Sequence, residues 1–237
     1  MENILGKRRA GGEGQEAHWL SVSDLMAGLM MVFLFISVAL MRDALQERDQ
    51  IREIAVAYQE NQVQIFDALM DEFEGDLEQW DATIDETTLS FEFKSPEVIF
   101  EVGSAQIRPE FQSILDDFVP RYLRILNDFS DSIEEVRIEG HTSSEWNHLV
   151  TETQAYFLNM RLSQGRTRSV LEYLYRMPDV EEKQSWVKRH FSAVGFSSSR
   201  PVLTEMGEED REASRRVLFR VITNAEVQIR RIMEETQ

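Results

Sequence analysis

Asn159-Met-Arg-Leu162-Ser163-Gln-Gly-Arg166 lays out one face of a helix in the second half of the chain, and the rest of that half can be read outward from it. Asn159, Leu162, Ser163 and Arg166 stand at i, i+3, i+4 and i+7, so on a helix they share one face, polar and cationic. Helical spacing extends over Tyr156 to Tyr175 and recurs over Ser113 to Leu126. Around these lie strand patterns. Leu89, Phe91 and Phe93 alternate, and Glu135 to Glu139, Phe191 to Gly195 and Val217 to Ile222 are short alternating or apolar runs. Helices mixed with strands in this way predict a compact α+β domain over residues 88–237.

Three further motifs flank the first in fixed order. They are Val98-Ile-Phe-Glu-Val-Gly-Ser104-Ala-Gln-Ile-Arg-Pro109, Ile138-Glu-Gly140-His141-Thr142, and a closing pair, Val194-Gly195-Phe196 with Ser199-Arg200-Pro201, then Ser214-Arg215-Arg216-Val217. Together they resemble the OmpA-like peptidoglycan-binding domain over roughly residues 95–223. The resemblance implies a peptidoglycan-binding set of Asn159, Leu162, Ser163, Arg166, Thr142 and Ser143. In it Arg166 clamps a stem-peptide carboxylate through its planar fork and Asn159 bonds the peptide backbone. Leu162 reads as core rather than contact. The family usually carries an aspartate after Gly-His-Thr to receive the ammonium of diaminopimelate, and here that position is Ser143, which offers only neutral hydrogen bonds. Glu145 and Glu152, in the long insert from Ser144 to Ala155, both stand as replacements.

Read without the family, Arg166 pairs with a nearby acid and Asn159 caps its helix. His141 reads as a structural turn residue, since His18, His148 and His190 show no metal-binding spacing with it. No metal or cofactor is expected. With 43 acidic against 25 basic residues and a net charge of -18, the chain repels a phosphate backbone, which excludes nucleic acid as a partner. Zero cysteines exclude disulfides and thiolate metal sites. No nucleophile motif, phosphate loop or paired-carboxylate site points to an enzyme.

Toward the N-terminus, residues 42–87 read as a charged helical connector. Leu45, Ile51, Ala55, Tyr58, Gln62, Ile65, Leu69, Phe73 and Leu77 recur mostly at steps of three and four. Such a stripe packs either on the following domain or, as the favoured reading, in a parallel coiled-coil dimer with Gln62 as a polar register point. Gly75 marks a place for a bend or an early end.

Leu20 to Met41 is an almost unbroken apolar run of about 22 residues, or ~33 Å of helix, enough to cross a bilayer core. Asp24 is the one charge in it. The run is too long for a signal-peptide core, so it reads as an uncleaved anchor. Lys7, Arg8 and Arg9 precede it, while Arg42 beyond it is diluted by Asp43 and Glu47. The positive-inside tendency then makes residues 1–19 a cytoplasmic tail and everything after Met41 periplasmic, with Trp19 at the headgroup level.

A membrane helix bearing one acid, a connector and an OmpA-like domain together resemble MotB-type stator subunits. The fingerprints Trp19-Leu-Ser-Val-Ser-Asp24-Leu-Met-Ala-Gly-Leu-Met-Met-Val-Phe33 and Gly140-His-Thr-Ser-Ser-Glu-Trp146 are most similar to the ZorB family of the Zorya anti-phage defence systems. That resemblance implies a homodimer inside a ring of a ZorA/MotA-like membrane subunit, with Asp24 as the ion-carrying carboxylate of a proton-driven motor. Ala27, Gly28 and Met31 share a face with Asp24 and leave room for a partner helix. Alternatives stay open: Asp24 as a helix cap at the interface, the whole chain as a static cell-wall tether, or a flagellar MotB-type stator.

Overall fold

The structure, a computed structural model, describes residues 13–94, 99–101, 103–147 and 149–235. Lys7, Arg8, Arg9, Val98 and His148 lie outside these, as do the side chains of His18, Trp19 and Leu20. Two compact units, residues 1–53 and 54–237, are described separately.

Helix α1, Glu13–Leu77, contributes to both. In the first unit every described side chain from Val22 to Met41 is exposed, Asp24 included. An apolar helix without a polar face needs lipid or other helices to cover it.

In the second unit the last third of α1 is part of the domain core. Ile65, Leu69 and Phe73 are fully buried there, and Gly75 does not end the helix, which runs on to Leu77. Gln62 also turns to its own chain, its Nε2 donating to the carbonyls of Glu86 (2.6 Å) and Thr87 (2.8 Å). Of the two expectations for the stripe, packing on the following domain is what these four residues do. Arg121 fastens the contact: its Nε lies 2.7 Å from Glu72 Oε1, a terminal nitrogen 2.8 Å from Asp76, and its guanidinium 4.7 Å above the Phe73 ring.

The elements that follow are β1 (Ala82–Asp85), β2 (Ser90–Phe93), α2 (Pro109–Asp128), β3 (Ile133–His141), α3 (Glu152–Tyr175), α4 (Gln184–His190), β4 (Phe191–Ser197), β5 (Val202–Leu203), β6 (Glu209–Asp210), α5 (Arg211–Ser214), β7 (Arg216–Thr223) and α6 (Asn224–Glu235). The five-stranded sheet has the order β1-β2-β7-β3-β4. Among the described residues only β3 and β4 pair in parallel, the arrangement that a crossover through α3 permits. The mixed α+β class agrees with the sequence pattern, and the helices α2 and α3 begin earlier than expected because local chemistry starts them there. Pro109 fills the first turn of α2, where no amide needs a partner, and Thr151 and Gln154 form a capping box at the start of α3.

Phe111, Leu115, Phe118, Tyr122, Leu123 and Leu126 form the buried stripe of α2. Phe118 sits at the centre of an aromatic cluster, 4.6 Å from Phe91, 4.8 Å from Tyr122 and 5.3 Å from Phe73 between ring centroids. This core fixes α2 and β2 and leaves the upper ends of β3 and α3 to build something else.

Candidate functional site

That upper end is polar. The buried stripe of α3 is polar over Asn159, Ser163, Arg166 and Thr167, between Ala155 at its start and the apolar Val170 and Leu174. The helix lies so close to the sheet that Gly140 of β3 and Gly195 of β4 have no room for a side chain. A β-carbon at Gly140 would stand 2.9 Å from the Ser163 carbonyl oxygen, and one at Gly195 2.4 Å from the Gln164 nitrogen.

Ser163 is consumed by this contact. Its hydroxyl donates to the Met160 carbonyl (3.0 Å) and accepts from the Ser197 amide (3.1 Å). Ser163 is completely buried and holds helix to sheet rather than lining an opening. Asn159 does not cap the helix, a role Thr151 takes. Its Nδ2 donates to the carbonyls of Ser143 (3.0 Å) and Glu145 (3.2 Å), fixing the loop that leaves β3.

Arg166 is 7% exposed, and among the described residues no carboxylate pairs with it. Its Nε donates to the Ser104 carbonyl (3.0 Å) and its guanidinium carbon lies 4.8 Å from the centroid of Phe100. Burial, reinforced by the charge of Arg215, pulls its pKa down to about 10. Among the described residues the expected acid partner is not met: Arg166 is faced by an aromatic ring, a carbonyl and a second arginine.

The guanidinium opens into a cleft of about 250 Å³. Of the six expected contact residues, Thr142, Ser143, Asn159, Leu162 and Arg166 line it together. Leu162 is half-buried at the wall of the cleft. Thr142 Oγ1 is buried with no hydrogen-bond partner among the described residues. Of the two acids in the insert, Glu145 lines the cleft and Glu152 does not. Phe100, Trp146 and Arg215 complete the walls. All three lie within the quoted motifs, but spacing alone gave no reason to single them out.

His141 is structural, as expected, though as the last residue of β3 rather than in a turn. Its Nε2 lies 3.2 Å from Glu139 Oε2 and its ring stacks on Phe196 at 5.1 Å. Both residues are 2% exposed. Among the described residues no group of histidines and acids has the arrangement of a metal site.

The fold and the cleft define a class: an OmpA-like domain carried behind a long exposed apolar helix, with residues 99–215 matching the OmpA family. A putative MotB-like protein from Desulfovibrio vulgaris shares the fold, with a TM-score of 0.50 and 20% identity over 74% of this chain and 99% of that one. Over 235 residues the chain is 52% identical to Zorya protein ZorB of Escherichia coli (strain Crooks), covering 99% of this chain and 100% of the relative. The chain belongs to the ZorB family. Family and fold together point to a structural, non-catalytic role and fit a protein anchored in the inner membrane.

Proposed function

We propose that this chain is the peptidoglycan-anchored stator subunit of a proton-driven inner-membrane motor complex in anti-phage defence. The observation that carries the wall-binding half is Arg166, a nearly buried guanidinium without an acid partner among the described residues, facing an open cleft. A cation removed from water is costly until an anion meets it, and a planar fork matches a carboxylate in two parallel bonds. A stem-peptide carboxylate on Arg166, with Thr142, Ser143 and Leu162 against the rest of the peptide, uses the cleft as built. Asn159 acts by holding the Ser143–Glu145 backbone in place.

The motor half rests on the ZorB relationship and on Asp24. In this reading the N-terminus is cytoplasmic, the domain is periplasmic, and a homodimer of α1 helices stands inside a ring of ZorA/MotA-like subunits. Asp24 binds a proton to cross and releases it, and each crossing supplies about 2.3 kcal/mol per 100 mV to bias the packing of the partner helices. The wall domain keeps this chain still while the partner turns.

Sedimentation of the full-length chain with purified sacculi tests the first half, with loss of binding expected for Arg166→Ala. Ion flux in liposomes containing this chain and its partner tests the second, with loss expected for Asp24→Asn. Flux absent from the wild type as well would leave a static tether.

A further inference from the structure

Away from the cleft, where the end of α3 meets α4 and the start of β4, a groove of about 450 Å³ opens over Leu171, Tyr175, Val187 and Phe191. Its rim is basic, in a chain whose net charge is -18. Arg168 and Lys188 stand exposed on it, and among the described residues no carboxylate pairs with either. Glu172, the acid on the rim, is already paired with Arg176.

The complementary shape hangs from β5 and β6. The turn between them is closed by the Thr204 amide on the Glu208 carbonyl (2.8 Å), and at Gly207 it takes a φ of 79°, which glycine adopts without strain. Met206 at the tip is 90% exposed. Glu205 and Glu208 flank it, exposed as well, and among the described residues no base pairs with them. An unbranched thioether chain fills irregular apolar gaps, and here it is held out on a tight turn between two acids.

A chain cannot seat its own turn. Glu209 accepts from the Ser144 amide (2.9 Å) and so fastens the turn beyond the C-terminal end of β3, level with the end of β4, whereas Phe191 places the groove at the start of β4. The strand puts about 20 Å between these two ends.

We infer that the Met206 turn of one copy of this chain seats in the groove over Leu171 and Phe191 of another, with Glu205 and Glu208 against Arg168 and Lys188, joining copies head to tail into rows. Turn and groove are different surfaces at opposite ends of one strand, so the contact is heterologous and repeats without closing. It does not depend on what the cleft binds. One turn in one groove buries far less than the ~1,200 Å² of a free-standing complex. The contact therefore acts between copies concentrated in one membrane, where it is repeated along a row.

Because the sequence has no cysteine, introduced pairs report proximity without background. Full-length copies carrying Met206→Cys and copies carrying Lys188→Cys are produced in the same membranes and oxidised. A covalent dimer is expected from the mixture and from neither variant alone. Met206→Cys mixed with Ser113→Cys, an exposed position on α2, measures random collision. A chain carrying both Met206→Cys and Lys188→Cys is expected to give a ladder of trimers and longer products. Arg168→Glu in the groove copy is expected to lower the yield roughly fivefold, the scale of one exposed ion pair, and Glu208→Arg in the turn copy to restore it. A mixed yield no higher than the collision control overturns the inference, as does Met206→Cys joining to itself as readily as to Lys188→Cys. A double variant that stops at the covalent dimer overturns the rows, since the contact is then closed. A yield indifferent to both charge changes overturns the pairing of the turn's acids with the basic rim.

Discussion

The hydroxyl of Ser163 lies 2.6 Å from where a β-carbon on Gly195 would stand. This contact seats the polar half of α3 on the edge strand β4. Gly195→Ala forces either the helix or the strand to move, because the Gln164 backbone nitrogen is closer still. The expected cost is about 1–3 kcal/mol, by overpacking. Urea unfolding of the detergent-solubilised chain measures it, and an unchanged midpoint contradicts the packing described.

In the proposed wall-binding role, Arg166 contributes to binding at the expense of stability. Replacing a buried cation that has no acid partner among the described residues by an apolar chain of similar length is neutral or stabilising, by up to about 1–4 kcal/mol. Arg166→Met is therefore expected to lose sacculus binding while unfolding at the same or a higher urea concentration. A large loss of stability would mean that the Ser104 and Phe100 contacts, not ligand binding, explain this arginine.

The Glu139–His141 pair makes the domain sensitive to acid. Burial pushes the Glu139 carboxyl up, but the bond to His141 and the charges of His141, Arg200 and Arg220 outweigh it and hold the group below its usual 4.5. Burial also pushes the His141 imidazole below 6.5, by more than Glu139 raises it. In both cases the unfolded chain takes up protons at a higher pH than the folded one. Stability is then fully present above 6.5, falls first through His141 and falls again through Glu139 below 4.5. The unfolding midpoint should drop between pH 7 and 5 in the wild type and drop less in His141→Gln.

Gln62 separates two uses of the α1 stripe. As a brace for the β1–β2 turn, its replacement by leucine removes two bonds to the Glu86 and Thr87 carbonyls and costs about 1–2 kcal/mol, with no change in association state. As a polar position in a coiled-coil seam, the same change alters the oligomer formed. Thermal unfolding together with light scattering on Gln62→Leu tells the two apart.

Much of the chain was legible in one dimension. The apolar run with its single Asp24, the 3.6-residue spacing of α2 and α3 and the alternation of β2 all follow from local chemistry that neighbouring residues settle among themselves. Asn159 and Arg166 could be placed on one helix face for the same reason. Their partners could not be read. Asn159 meets a carbonyl 16 residues away, Ser163 an amide 34 away and Arg166 a carbonyl 62 away. The insertion of β7 between β2 and β3 brings Arg215 to the cleft, and the burial of Ile65, Leu69 and Phe73 gives the end of α1 to the domain. A residue's spacing determines which face it occupies; what covers that face, and whether a charge there is paired or left for a ligand, is decided only when segments distant in sequence close on one another.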